Sequence, residues 1–209
     1  MNFCNLYDDI ESLGEPSERR QEQLQRLQHL NTVRSEFPEV EAAREALGCR
    51  SAKFPCTVQN LEIERDPDDF PEHWHTVPAA EGSQTAEPFL IVANMIGDVA
   101  ADIVFCRLRD RAMPTGTGSV TPILGIANVD QCWVNEKPLR LYQDPVSFVQ
   151  NGCDGAVALR WWGGGDTLSL LAYAPSIICE TRDLAEELDR NWKQLFSPIS
   201  YIVKGGANV

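Results

Sequence analysis

The 209-residue sequence has little positive charge: 18 lysines and arginines stand against 31 acidic residues, for a formal net charge of −13. Most of the acidic excess lies before Leu90. A protein that binds the phosphate backbone of nucleic acids needs a basic face, so direct nucleic-acid binding is not expected. An acidic surface keeps a protein in solution, and it also suits a basic or nucleic-acid-binding protein partner.

Long apolar segments are absent as well. No run reaches the roughly 18 apolar residues that a membrane-spanning helix needs. The first residues include Asp8, Asp9 and Glu11, where a secretory signal would carry basic residues before an apolar core. We therefore expect a soluble protein without membrane contact.

The seven cysteines are an odd number and show no repeated spacing, which argues against a disulfide framework and for a reducing, intracellular compartment. Cys49 and Cys56, with His73 and His75, are formally a zinc ligand set. However, the first pair is seven residues apart, whereas paired zinc ligands usually lie two to four apart. We predict no metal and no cofactor.

The organisation along the chain predicts three parts. Residues 1–60 are interpreted as a helical hairpin appendage, with Ser17 capping the first helix, and Pro38 starting and Gly48 ending the second. Residues 61–87 are acidic and rich in proline, which is typical of a surface loop or linker. Residues 88–209 are predicted to form an α/β domain.

The α/β domain begins with β-prone stretches at 88–93, 98–108 and 120–129. Arg107, Arg109 and Arg111 lie at the end of the second stretch and directly after it. Because Asp110 and other acidic residues are close by, a local ion-pair cluster is favoured over a nucleic-acid contact.

Strands and helices then alternate, which is typical of a mostly parallel sheet covered by helices on both faces. The predicted strands are 139–142, 155–159, 176–179 and 199–203. Asp144, Asp166 and Thr181 are predicted to cap the intervening helices.

Ligands of open parallel sheets bind beyond the carboxyl ends of the strands. Two tryptophans offer stacking surfaces there and three glycines allow close backbone approach, although Gly-rich turns and core tryptophans are also ordinary features. The candidate ligand-binding residues at this edge are Asp144, Trp161, Trp162, Gly163, Gly164, Gly165, Glu180 and Thr181.

The order of strands and helices, with Glu180 at a strand end, resembles Toprim-type nucleotidyl-transfer sheets. That resemblance implies a magnesium-dependent nucleotidyl-transfer or phosphoester enzyme using Asp144 and Glu180. Such sites usually include an Asp-x-Asp pair, which this segment lacks. No catalytic residue is therefore assigned, and the enzyme with Mg²⁺ is the alternative hypothesis.

The stretch from Leu139 to Val157, preceded by Gly97 to Val104, resembles a group of uncharacterised proteins encoded by phages, prophages and other mobile elements. The resemblance covers Gly97 to Val203 and carries no established activity. It implies a mobile-element setting, often beside replication genes, in the cytoplasm of a bacterial host cell. The preferred hypothesis is a non-catalytic accessory protein that acts through protein or nucleotide contacts.

Overall fold

The computed structural model describes residues 24–25, 27–29, 37–65, 74–79, 83–97, 99–114, 121–161 and 165–196. These residues form helices and strands together, which confirms a mixed α/β protein. The described strands are β1 (Cys56–Arg65), β2 (Trp74–Pro78), β3 (Glu87–Ile96), β4 (Val99–Arg107), β5 (Ile123–Leu124), β6 (Leu139–Tyr142), β7 (Ala156–Ala158) and β8 (Ile177–Cys179). The helices are α1 (Pro38–Ala46), α2 (Ile126–Val134), α3 (Pro145–Gln150), α4 (Gly165–Leu171) and α5 (Arg182–Phe196), with a 3₁₀ turn at Cys49–Ser51.

The first sheet has the strand order β2-β1-β3-β4 and is antiparallel throughout. Its central strand β3 is buried continuously from Phe89 to Met95. A strand buried along its whole length must be covered on both faces, so β3 lies at the centre of the larger hydrophobic cluster.

The prediction of a loop over 61–87 is wrong for residues 61–65 of β1 and for β2. These strands pair with each other, for example Leu61 with Pro78 and Ile63 with Thr76. Acidic residues such as Glu62 and Glu64 alternate with apolar ones, and an antiparallel strand with one solvated face tolerates that pattern. The high acidic content made this alternation of acidic and apolar residues difficult to recognise as a strand.

The second sheet has the order β5-β7-β6-β8. Strand β6 runs parallel to β7 and β8, whereas β5 is antiparallel to β7. Leu139 and Leu141 belong to the cluster beneath α2, α4 and α5, and Tyr142 belongs to the cluster shared with α3 and the first sheet. This sheet therefore separates the two hydrophobic clusters.

The prediction of a strand over 120–129 is wrong except for the two residues of β5. Gly125, at φ +82°, ends the strand, and an added Cβ there would lie 3.0 Å from the ring of Phe148. Helix α2 then buries Ile126 and Val129, which are three residues apart on one face. A short apolar run does not distinguish these outcomes, because both strand and helix bury such residues.

Other local signals are confirmed. Strand β6 has the predicted bounds, α1 begins at Pro38, and Gly48 adopts φ +66° after it.

Helix α4 begins at Gly165, so Asp166 lies inside the helix instead of capping it. The predicted strand 199–203 and most of the first helix of the hairpin lie outside the described residues.

Asn94 joins the two sheets. Its Nδ2 donates to Thr121 Oγ1 at 2.6 Å and to the carbonyl of Ile123 at 2.7 Å, and its Oδ1 accepts from the amide of Gly125 at 2.9 Å. Since Asn94 is fully buried in β3, it fixes β5 against the first sheet.

The described helices include none that is both long and apolar enough to cross a bilayer.

The six described cysteines are all free thiols. Cys56 Sγ donates to the carbonyl of Cys49 at 3.6 Å, and both side chains are buried. His73, the next member of the formal zinc set, lies outside the described residues.

Candidate functional site

The carboxyl ends of β6 and β8 bring three of the predicted site residues to one edge of the second sheet. Asp144 follows β6, and Glu180 and Thr181 follow its parallel neighbour β8. Glu180 Oε2 accepts a hydrogen bond from the amide of Gln143 at 2.9 Å, and Thr181 Oγ1 lies 3.2 Å from Gln143 Oε1. Thus Gln143 ties the two strand ends together.

Asp144 is buried, and both of its carboxylate oxygens have partners. Its Oδ1 accepts from the amide of Ser147 at 2.9 Å, which caps α3, and its Oδ2 pairs with Arg111 Nη1 at 2.6 Å. The hydrogen bond to Asp144 raises the pKa of Arg111. Arg111 itself has a left-handed backbone, at φ +60°. The contacts of Asp144 are therefore those of a helix cap that also anchors the turn after β4.

Cys106 lies next to the ion pair of Asp144 and Arg111. Its Sγ donates to the carbonyl of Arg111 at 3.5 Å. Burial, together with the negative charge of Asp144, raises the pKa of the Cys106 thiol to about 12. A thiol that stays protonated at neutral pH is a poor nucleophile, so Cys106 contributes packing to this region.

The other arginines of this turn form the predicted ion-pair cluster, which is confirmed. Arg107 contacts both oxygens of Asp110, at 2.8 and 2.6 Å, and Glu87 bridges Arg107 and Arg109. The hydrogen bonds from Arg107 lower the pKa of Asp110. Because each of the two arginines has an acidic partner, they form no net basic patch.

The Trp/Gly turn after β7 is described only at its two ends. Trp161 is half-buried and packs against the cluster beneath α4 and α5, and Gly165 is the first residue of α4. Trp162, Gly163 and Gly164 lie outside the described residues. The described contacts of Trp161 are those of a core residue.

A different surface lies on the face of β6 and β8 that points away from α4 and α5, where Arg140, Ile178 and Glu180 are exposed to solvent. Arg140 pairs with Ile178 across the two strands, and side chains two positions further on, Tyr142 and Glu180, lie on the same face. Ile178 is 55% exposed, which is unusual for an isoleucine in the middle of a strand. We call these four residues the open face.

A cavity of about 170 Å³ lies on the open face. Asn151, which follows α3, closes one side of it and donates its own Nδ2 to the carbonyl of Ser147 at 2.8 Å. The lining residues are Arg140, Leu141, Tyr142, Asn151, Ile178, Cys179 and Glu180. The cavity thus combines an apolar wall with an amide and two opposite charges.

The Tyr142 hydroxyl is the unusual group in this cavity. The residue is only 5% exposed, its ring packs edge-on against Phe148 with centroids 6.3 Å apart, and its hydroxyl finds no partner among the described residues. A buried polar group without a hydrogen bond costs about 1–3 kcal/mol. The hydroxyl itself is closed to solvent, so a bound molecule reaches it only if the cavity wall moves on binding.

Sequence reasoning predicted a site at the carboxyl edge of the sheet and missed the open face. Arg140 lies between two buried leucines, and this alternation was the available sign that one face of β6 meets solvent. Ile178 gave no such sign, because it lies within the apolar run Ile177–Cys179.

Among the described residues, no three His, Cys, Asp or Glu side chains are grouped so that they could hold a metal ion. Comparison of the chain with protein-family models, with curated proteins and with solved structures gave no match.

Proposed function

We propose that the protein is a non-catalytic accessory protein that binds a protein partner through the open face. The observation that carries this proposal is the exposed Ile178 beside this cavity. A docked partner would cover the apolar side chain, which favours binding, and a shift of the cavity wall on binding would let it satisfy the buried Tyr142 hydroxyl as well.

The size of the cavity supports a polypeptide as the bound molecule. Pockets for drug-sized ligands usually occupy about 300–1,000 Å³. A cavity of about 170 Å³ is too small for a whole nucleotide but accommodates one side chain inserted from a partner. Such an inserted residue is the usual centre of a protein–protein interface. We expect it to have an apolar stem and a hydrogen-bonding end that reaches Tyr142.

Charge supports a basic partner. The net charge of −13 attracts a basic protein at long range. At the open face itself, Arg140 and Glu180 have opposite signs and both are exposed. Opposite charges on two sides of a docking surface fix the orientation of the bound segment more than they raise its affinity.

The proposal includes the setting that the sequence resemblance implies. We place the protein in the cytoplasm of a bacterial host cell, as an accessory to the DNA replication of a phage or other mobile element. Its partner is then a basic or nucleic-acid-binding protein. The support for this part is the resemblance over Gly97 to Val203.

The contacts at the strand ends support binding over catalysis. Magnesium-dependent phosphoryl-transfer sites need several carboxylates that can converge on the ion. Here Asp144 already bonds to Ser147 and Arg111, and Glu180 Oε2 accepts from Gln143. Both carboxylates therefore already serve structural contacts, the α3 cap and the link between β6 and β8.

A random-peptide display library selected against the protein tests this function. We expect enriched peptides that carry basic residues and bind the Ile178→Asp variant at least about tenfold more weakly, because an apolar contact of about 1.4 kcal/mol corresponds to that factor. Val134→Asp is the matched control, since Val134 is a 68% exposed apolar residue on α2. Equal loss in both variants, or binding unaffected by Ile178→Asp, would contradict the proposal.

A further inference from the structure

Three buried thiols lie near one another where the first sheet begins. Cys49 is in the 3₁₀ turn after α1, Cys56 is the first residue of β1, and Cys153 follows α3. Each is at most 1% exposed, and all three belong to the larger hydrophobic cluster. The charges of these thiols affect one another, as expected of close neighbours. Their contacts decide which two of them can react together.

Cys49 and Cys56 are in contact with each other. Cys56 Sγ donates to the carbonyl of Cys49 at 3.6 Å, and the two side chains also hydrogen-bond each other. The Cys153 sulfur is instead hydrogen-bonded to the backbone at Lys53 and Phe54. Formation of a disulfide needs two sulfurs side by side, and the pair of Cys49 and Cys56 meets that requirement.

The two thiols of this pair differ in acidity. The hydrogen bond with Cys56, and after it the positive charge of Arg44, lower the pKa of the Cys49 thiol against the effect of burial. The same hydrogen bond, together with burial, raises the pKa of Cys56. Arg44 is itself buried and its Nε donates to the carbonyl of Val58 at 3.1 Å, so its charge is fixed beside the pair. Cys49 is therefore the sulfur that becomes a thiolate, and the thiolate is the nucleophile in disulfide exchange.

Cys49 lies in a short turn that is otherwise exposed. The neighbouring residues Arg50, Ser51 and Lys53 all face solvent, and one bond, from the amide of Ser51 to the carbonyl of Gly48 at 3.0 Å, closes the turn. Local opening of such a turn costs less free energy than global unfolding. A small molecule can therefore reach Cys49 while β1 stays paired.

We propose that Cys49 and Cys56 are a reactive dithiol, which a low-molecular-weight disulfide converts reversibly into an intramolecular disulfide. The Cys49 thiolate attacks one sulfur of the reagent, whose S–S bond breaks and releases a first thiolate. Cys56 then attacks the Cys49 sulfur of the mixed disulfide, and its proton goes to the second thiolate that leaves. The two protein thiols are thus oxidised to one disulfide, and the reagent is reduced to two thiols.

The dithiol is independent of partner binding at the open face, because it lies at the start of β1 in the first sheet. In a reducing compartment both thiols stay reduced. The disulfide form would then mark a change to oxidising conditions.

Oxidation of the full-length protein with hydroxyethyl disulfide tests this site. The reagent is mixed with its own thiol, mercaptoethanol, in increasing ratio, free thiols are then alkylated, and linked peptides are identified by mass spectrometry. We expect Cys49 and Cys56 to become linked within one chain and the link to reverse in excess thiol. Cys106 is the matched control, because it is equally buried but contacts the carbonyls of Arg107 and Arg111, and it should stay reduced.

Two serine variants assign the order of the steps. In Cys56→Ser the second step is impossible, so the mixed disulfide should accumulate on Cys49. In Cys49→Ser the remaining thiol stays protonated, and its mixed disulfide should be at least about tenfold less abundant, because only the thiolate attacks. Circular dichroism of each variant checks that it is folded, and the native protein tests the link without any substitution.

Three results would overturn the proposal. Reaction of the half-buried Cys132 and Cys179 without any link between Cys49 and Cys56 would show that the buried pair is inert. A link that includes Cys153 would show that a different pair reacts. Equal amounts of mixed disulfide in the two serine variants would show that Cys49 is not the attacking sulfur.

Discussion

Tyr142 connects stability and binding because its hydroxyl is buried without a partner. Its ring fills space between Phe148 and the backbone at Gly155. The apolar part of the side chain therefore stabilises the fold, while the hydroxyl reduces that gain. Buried polar groups without a partner are the exception in folded proteins, and an ordered water or a bound molecule is what satisfies them when one is present.

The change Tyr142→Phe separates these two effects. We expect the free energy of unfolding to stay the same or rise by about 1 kcal/mol, because an unsatisfied hydroxyl is removed. Peptides selected on the open face should bind more weakly. The matched control is Thr167→Val, since the Thr167 hydroxyl is also buried but donates to the carbonyl of Arg160 at 2.6 Å. Urea denaturation should show a loss of about 1 kcal/mol there, and the same loss in Tyr142→Phe would contradict our interpretation.

Gly155 is the residue that makes room for the Tyr142 ring. It adopts φ +132°, and an added Cβ would meet the carbonyl of Arg140 and lie 2.8 Å from Tyr142 Cε2. We expect Gly155→Ala to destabilise the protein by at least about 2 kcal/mol. Gly152→Ala is the control, because Gly152 has φ +71° but open space around it, and should cost about 1 kcal/mol. Equal losses of stability for Gly155→Ala and Gly152→Ala in thermal unfolding would show that the packing of the Tyr142 ring does not depend on a glycine at position 155.

Helix α3 shows which contacts of a helix can be predicted from neighbouring residues in the sequence. Asp144-Pro145 predicted its start, and the carboxylate does accept from Ser147. The sequence did not reveal that the same carboxylate meets Arg111, 33 positions earlier in the chain. Local hydrogen bonds follow from neighbouring residues, whereas long-range pairs depend on how the sheets pack.

Two substitutions at Asp144 separate its cap from its ion pair. Asp144→Ala removes both and should lower the free energy of unfolding by about 1–2 kcal/mol. Asp144→Asn keeps a capping oxygen and loses only the charge, and the half-exposed Arg111 can be hydrated instead, so the loss should be under about 1 kcal/mol. Equal effects of the two changes in urea denaturation would mean that the ion pair, and not the cap, stabilises this turn.

Strands were harder to predict than caps. The strand at 139–142 carries the exposed Arg140 between the buried Leu139 and Leu141, and it was predicted with its observed bounds. The apolar run in 120–129 is short, so its periodicity fits strand and helix alike. In the structure Gly125, at φ +82°, separates the two-residue strand from α2. The open face could not be predicted, because exposure of Ile178 depends on which helices cover the sheet.

In the molecule as a whole, the two sheets share one large hydrophobic cluster, which contains Val58 and Leu90 from the first sheet and Tyr142 and Val157 from the second. Asn94 adds a polar link between them. A shared core of this kind should make the sheets unfold together.

The change Asn94→Ala tests this coupling. It leaves the Thr121 hydroxyl, the Ile123 carbonyl and the Gly125 amide without their partner, so we expect a loss of at least about 3 kcal/mol. Asn60→Ala in the adjacent strand is the control, because Asn60 Oδ1 is buried without a partner and should cost much less. The protection of backbone amides against hydrogen exchange should fall in both sheets together. Loss confined to one sheet would show two independent units.

Partner binding at the open face is tested most directly by NMR chemical-shift mapping with a display-selected peptide. We expect the largest shifts at the amides of Arg140, Tyr142 and Ile178, which belong to the open face of β6 and β8. The same titration with Tyr142→Phe should give smaller shifts and weaker binding. Shifts centred instead on the exposed end of α2, at Trp133 and Val134, would show that the partner uses a different surface.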